Sequence, residues 1–270
     1  MIRFVKAHAC GNDFLVVEQT QLSADRLRDA AIGLCARNTG VGADGVEYLE
    51  WTGKNSGRIR LFNADGSIAE ISGNGTRCVA AWMAYEKKMG RGDSIVIETD
   101  AGSRECRVIE AEGTRFQIAS RMGIPKIKTH SVKLGNEFVA GVVVSTGNPH
   151  FVIFVNDPAF SVSGKSWQEI GREICFHPDF PEQTNVEFAR IINTNEIEIR
   201  IFERGVGPTT SSGTGTCASA TATIAHKNGS AHLLVRAPGG EQRVEWMGDE
   251  NEILLTGPAE LIATGEAFGW

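Results

Sequence analysis

Apolar and polar residues alternate with a period of two along much of this chain, and two of the alternating runs are near copies of each other. Arg58-Ile59-Arg60-Leu61-Phe62 and Glu198-Ile199-Arg200-Ile201-Phe202 each set apolar side chains on one face and charged ones on the other, as a half-buried strand does. Each run leads through a glycine-rich turn into an Ala-rich segment without Pro or Gly, and that pattern predicts helices over Val79–Lys88 and Ala218–Lys227. Before them stand Ser72-Gly73-Asn74-Gly75 and Ser212-Gly213-Thr214-Gly215, 140 positions apart. Ser-Gly-x-Gly therefore opens a helix twice. Unpaired N–H groups and the positive end of the helix dipole make each such turn a candidate anion site. A duplicated anion site predicts a chain of two similar halves facing one ligand.

The remaining pattern supports duplication. Met1 to Glu18 reads as two strands around His8-Ala9-Cys10-Gly11-Asn12-Asp13. Ser23 is placed to cap a helix with Leu27, Ala30, Ala31 and Leu34 on one face. Gly40-Val41-Gly42-Ala43-Asp44-Gly45 matches the dinucleotide-binding pattern GxGxxG letter for letter, but that fingerprint must follow a strand and open a helix. Here it follows a helix and enters the strand-like Val46-Glu47-Tyr48-Leu49, so a plain turn is the better reading. Strand-like runs follow near Ile95–Thr99, Cys106–Ile109 and Phe116–Ala119, and Arg121-Met122-Gly123-Ile124-Pro125 reads as a linker. Phe138–Val144, the turn Gly147-Asn148-Pro149-His150 and the run Phe151–Val155 then echo Gly11-Asn12-Asp13 and the strand after it. A short helix is predicted near Trp167–Ile174, before Thr184-Asn185-Val186-Glu187-Phe188 and the second core motif. The end, Glu252–Leu255 and Ala259–Phe268, is again strand-like. A repeat of this length is a domain duplication rather than a solenoid.

Composition narrows the function classes. At 270 residues, 41% apolar and 22% charged, the chain is an ordinary globular protein with enough length for two cores. A net charge of −6 lacks the basic footprint that nucleic-acid binding needs. The six cysteines include no CxxC pair, which argues against zinc and against a disulfide framework. With no signal-peptide pattern at Met1 and no apolar run of membrane-spanning length, the expectation is a cytoplasmic protein with no membrane partner.

Five motifs in order carry a specific resemblance. Lys6-x-His8-x-x-Gly11-Asn12-Asp13-Phe14 opens the set. Asn63-Ala64-Asp65-Gly66-Ser67 with Ser72-Gly73-Asn74-Gly75-x-Arg77-Cys78 follows, then Gly147-Asn148-Pro149-His150 and Thr184-Asn185-Val186-Glu187-Phe188. Glu203-Arg204-Gly205-x-Gly207 with Gly213-Thr214-Gly215 completes it. Together they resemble the diaminopimelate epimerase family over essentially the whole chain. The resemblance implies an α+β fold of two pseudo-symmetric domains, each a β-structure wrapped around a central helix, with the active site in the cleft between them. On the duplication, the halves are expected over residues 1–117, with 262–270 returning to them, and 118–261. The family interconverts LL- and meso-diaminopimelate for lysine and peptidoglycan precursor synthesis. The resemblance further implies no pyridoxal phosphate, no metal and a homodimer.

The chemistry explains such symmetry. Inverting an α-carbon removes a proton from one face and returns one to the other, which calls for two acid/base groups on opposite sides. Helix N-termini aimed at the α-carboxylate stabilise the carbanion where its charge develops. The family's usual pair is two cysteines, each just before a Gly-x-Gly turn, and here both positions are serine, Ser72 and Ser212. A hydroxyl is a poor base at neutral pH unless another group takes its proton. Three readings stay open. The hydroxyls work with His150 or Glu203 as proton acceptor; the chain is a related isomerase or dehydratase acting on another acid, since some members of the wider superfamily use carboxylates; or the serines inactivate, and the chain only binds. By resemblance, Asn12, Asn63, Asn148 and Asn185 would bind the substrate's ammonium and carboxylate groups, and Arg204 would clamp the distal carboxylate. Gly73, Asn74, Gly213 and Thr214 would offer donors. Each asparagine taken alone is equally a turn residue. His150 alone reads as a core histidine, Cys10 as a displaced thiol or a packed inert cysteine, Cys78 and Cys217 as packing, and Arg77 as a surface cation or structural ion pair.

Overall fold

The computed structural model describes residues 1–268, and the chain divides into two compact units, Met1–Ser120 with the segment from Thr256, and Arg121–Leu255. The first unit begins β1 (Ile2–Ala9), β2 (Asn12–Glu18), α1 (Leu27–Cys35), β3 (Gly45–Trp51), β4 (Ser56–Asn63) and β5 (Ile68–Ala69). It continues with α2 (Gly73–Glu86), β6 (Ser94–Thr99), β7 (Gly102–Glu112) and β8 (Arg115–Arg121). The second begins β9 (Lys126–Leu134), β10 (Glu137–Ser145), β11 (Pro149–Phe154), α3 (Trp167–Cys175), β12 (Asn185–Asn193) and β13 (Glu196–Glu203). It ends with β14 (Gly207–Thr209), α4 (Gly213–His226), β15 (His232–Ala237) and β16 (Gly240–Glu245). The last strand, β17 (Leu254–Ala267), lies mostly in the first unit.

The two units repeat pairing for pairing. β1–β2 is antiparallel, β2–β3 parallel, β3–β4 antiparallel, β4–β6 parallel and β6–β7 antiparallel. β10–β11, β11–β12, β12–β13, β13–β15 and β15–β16 follow the same sequence of directions. In the first unit β7 also pairs with β8, β8 with β17, and β17 with β1, so eight strands close into a ring. Closure leaves no free edge in that ring.

Each set of strands wraps one helix. Eleven of the fourteen residues of α2 are buried, and Cys78, Val79, Ala81 and Met83 pack against Val5, Phe14, Leu61, Ile97, Ile118 and Leu261. In the second unit, α4 packs Cys217, Ala218, Ala220 and Ala222 against Val144, Val152, Ile199, Ile201 and Val235. A helix enclosed on all sides needs small residues, which is why both segments are Ala-rich. An outer helix covers the other face of each parallel pair. α1 packs on Leu15, Val17, Val46 and Tyr48, and α3 on Phe151, Ile153, Val186 and Phe188. Parallel strands covered on both faces read as continuous apolar runs. Strand alternation therefore turns Glu47 and Glu187 toward the inner helices, beside Leu49 and Ala189, which belong to the inner cores.

Several expectations shift by a few residues for clear reasons. Both inner helices start at the glycines of Ser-Gly-x-Gly, before Val79 and Ala218, because the serine supplies the cap there. Ser23 instead precedes a single 3-10 turn, Ala24–Arg26, and its side chain makes no cap bond; α1 begins at Leu27 with the expected face buried. The Gly40–Gly45 turn joins α1 to β3, as a non-nucleotide reading requires. The two terminal runs merge into one strand, β17. Arg77 is no surface cation: it is fully buried, as are Cys78 and Cys217.

Candidate active site: two serine-capped helix ends

In the first unit, Ser72 is the N-cap of α2. Its backbone is extended, with φ −123° and ψ 121°, and its Oγ accepts the Gly75 N–H at 3.1 Å. The turn is held from below by Arg77, which donates to the Gly73 carbonyl at 3.1 Å and to Asn74 Oδ1 at 2.6 Å. Asn74 donates to Asn12 Oδ1 at 3.2 Å, and Asn12 donates to Asp44 at 2.7 Å. The β1–β2 turn is thereby tied to the helix end. Beside it, Asp13 pairs with Lys6 at 3.0 Å and Arg37 at 2.9 Å. Burial pushes the Asp13 carboxyl up, but hydrogen bonds and charge from Arg37 and Lys6 outweigh it and hold the group below the usual carboxylate range. Asn63, at the end of β4, donates to Ser67 Oγ at 2.9 Å and so closes the Asn63–Ser67 turn.

In the second unit, Ser212 caps α4 in the same conformation, and its Oγ accepts the Gly215 N–H at 3.2 Å. A chain of side chains runs inward from it. Ser212 Oγ lies 3.4 Å from Thr214 Oγ1, which accepts from Asn148 Nδ2 at 3.2 Å. Asn148 Oδ1 faces His150 Nε2 at 3.1 Å, and His150 Nδ1 faces Glu187 Oε1 at 2.7 Å. His150 and Glu187 have no exposed surface. Asn148 directs its NH₂ at Thr214, which leaves its Oδ1 as the acceptor facing His150 Nε2.

The other predicted residues gather around the same end of the second unit. Asn185 donates to the Pro149 carbonyl at 3.0 Å and accepts the Arg204 N–H at 2.8 Å, fixing the start of β12 against the end of β13. Arg204 is exposed, and its guanidinium donates to the Glu182 carbonyl at 3.0 Å. Glu203 ends β13, half-buried, at the place that Asn63 holds on β4. Cys10 is buried in a left-handed turn with φ 52°, and burial pushes the Cys78 thiol far above its ordinary range. Among the described residues, no group of three or more His, Cys, Asp or Glu is arranged to hold a metal, and no helix is long and apolar enough to cross a membrane.

Two functional candidates escaped the motif reading, Glu47 and Glu187. Both are fully buried under the helix ends. A signal was present: they recur at the same 140-residue interval as the serines, each flanked by apolar neighbours in its strand.

The family profile of diaminopimelate epimerase matches residues 4–128 and 142–262. This chain belongs to the diaminopimelate epimerase family, a family of isomerases. It is 33% identical to the diaminopimelate epimerase of Heliobacterium modesticaldum over 283 residues, covering 98% of this chain and 99% of that one. It is 35% identical to that of Bacteroides thetaiotaomicron over 269 residues, covering 99% and 98%. Solved structures agree on the fold. A phenazine biosynthesis protein of Bacillus anthracis superposes with TM-score 0.74 at 16% identity, covering 100% of this chain and 99% of that one. A hydroxyproline epimerase of Agrobacterium vitis with bound trans-4-hydroxy-L-proline gives 0.69 at 15%, covering 98% and 91%. The α+β class expected from sequence is thus the class found, and the chain is an epimerase of this superfamily by family.

Proposed function

We propose that this chain interconverts LL- and meso-diaminopimelate by α-proton removal and return, without pyridoxal phosphate or metal. In this reading Ser72 and Ser212 hold the two proton-transfer positions, one on each face of the α-carbon. The observation that carries it is the repeated cap: each serine sits at the start of an enclosed helix, its oxygen on a backbone N–H, in a chain of this family. The N–H groups of Gly73–Asn74 and Gly213–Thr214 would take up charge developing on the α-carboxylate. Asn12, Asn148 and Asn185 would orient the ammonium and carboxylate groups, and Arg204 would hold the far carboxylate. We place the enzyme in the cytoplasm as a homodimer, supplying meso-diaminopimelate for lysine synthesis.

A second reading is favoured by one observation, the hydroxyl at both positions: the protein binds the amino acid without turning it over. Proton NMR of LL- and meso-diaminopimelate in D₂O separates the two. Loss of the α-proton signal with interconversion supports the epimerase. Binding by calorimetry without any exchange supports the binding form. Exchange with a different amino or hydroxy acid and none with diaminopimelate moves the chain to another substrate.

A further inference from the structure

A carboxyl group lies beneath each serine. Glu47 has no exposed surface, and both of its carboxyl oxygens are without a hydrogen-bond partner. A Cβ built on Gly75 would stand 2.0 Å from Glu47 Oε1 and 3.3 Å from Ser72 Cβ. Gly75 therefore lies between the buried acid and the cap serine, with no hydrogen bond joining the two in the resting structure. The second unit repeats the arrangement: from the equivalent point on Gly215, Glu187 Oε1 is 2.7 Å away and Ser212 Oγ 3.3 Å. Packing gives no reason for an orphaned carboxyl in an apolar strand core, and burying one is costly. A buried carboxyl recurs beneath the second cap, where Glu187 Oε1 meets His150 and Oε2 has no partner, and the recurrence beside a serine hydroxyl in each half gives a reason.

We propose that Glu47 and Glu187 are positioning residues that exchange a proton with the hydroxyls of Ser72 and Ser212, so that each half carries a serine–glutamate pair. The inference rests on the epimerase reading above and deepens it. On the accepting face, the substrate Cα–H bond breaks and its proton goes to the serine oxygen. The serine's own proton passes to the glutamate carboxylate, and the electron pair stays on the substrate, spread into its carboxylate. On the donating face, the other glutamate returns its proton to the serine oxygen as that serine delivers its own to Cα. One proton leaves each substrate and one arrives, with no oxidant or further reactant.

The surroundings of the two acids differ. Burial alone pushes the Glu47 carboxyl up to about 8, so at neutral pH it carries a proton to give. Phe14 stands where the second unit has His150, since each pairs with the residue two before the glutamate on the neighbouring strand. The titratable groups near this helix start are Arg77 and Cys78 on α2 and Cys10 and Asp13 at the β1–β2 turn, all of which act on one another at Cys78. Glu187, by contrast, meets His150 Nδ1 through Oε1 at 2.7 Å, while its Oε2 has no partner.

The test is face-selective. Glu47→Gln keeps the shape and removes the proton. The variant should still wash the α-proton of one stereoisomer into D₂O through Ser212, while inversion falls about 10²- to 10⁴-fold. Glu47→Asp should recover part of the inversion. A Glu47→Gln variant that inverts like the parent, or one that loses both exchanges while ligand affinity is kept, overturns the pair; so does an aspartate variant no better than the glutamine one. Infrared titration of the buried carboxyl, identified by its loss in Glu47→Gln, gives a readout free of substrate. Its midpoint should shift when Ser72→Ala removes the hydroxyl, and an unchanged midpoint overturns the proposal. A parent inert toward diaminopimelate would sink the epimerase reading, and the infrared titration would then decide the pair by itself.

Discussion

Glu47 occupies the space where any side chain at position 75 would have to go, its Oε1 lying 2.0 Å from an ideal Cβ on Gly75. The second glycine of Ser-Gly-x-Gly is thus demanded by a residue on a strand 28 positions earlier. Gly75→Ala should destabilise the fold by about 1–3 kcal/mol, the usual cost of overpacking a core. Glu47→Ala combined with Gly75→Ala should recover much of that loss, giving a coupling energy by urea denaturation; additive effects would mean that the two residues do not compete for space.

The buried acid also makes stability depend on pH in an unusual direction. The folded state holds the Glu47 proton up to about 8, against an ordinary value of 4.5. Between those values the folded chain binds a proton that the unfolded chain has released. The contribution of Glu47 is therefore fully present below pH 4.5 and is lost as pH rises toward 8, at about 1.4 kcal/mol per pH unit. Glu47→Gln should flatten that decline. Denaturation series at pH 5, 6.5 and 8 on the parent and the variant would show it, and parallel curves would contradict it.

How much of this was legible in the sequence depends on the kind of interaction. The duplicated strands, turns and helices were, because period-two alternation and glycine punctuation are local. Pairing directions and the closure of β17 on β1 were not, because nothing local ties Ile2 to Ala267. The serines stood out as departures from a motif. Arg77 did not, since burial against Gly73 and Asn74 depends on the ring around α2. Glu47 and Glu187 stand in strand-like runs whose pattern does not say which face is covered. Only covering both faces of β3 and β12 turns them into buried acids.

Thiols should work better than hydroxyls at the two caps. A cysteine at a helix N-terminus has its pKa lowered toward neutrality, which suits it to proton transfer. Ser72→Cys with Ser212→Cys should raise epimerisation about 10²- to 10⁴-fold, whereas each single change should raise full turnover little. Proton NMR in D₂O with both stereoisomers measures it. A parent as fast as the double variant would mean that the hydroxyls suffice with the help of the buried acids.

Arg204 provides a check on the substrate. Its exposed guanidinium is held by the Glu182 carbonyl and its own N–H by Asn185. Arg204→Lys should weaken diaminopimelate binding by about 1–3 kcal/mol, because a point charge replaces a bidentate fork. Calorimetry with the purified pair measures the difference, and unchanged affinity would point to a substrate without a distal carboxylate.

The ring of the first unit is closed by the last strand to be made. β1 has one neighbour in β2 and the other in β17, whose residues 260–267 reach back to residues 2–8. On the ribosome, the whole of the second unit is synthesised before that partner emerges. The N-terminal strand must wait with an open edge, and the second unit can complete its own pairing first. A nascent chain stalled near residue 255 would therefore expose β1 to pairing with other chains.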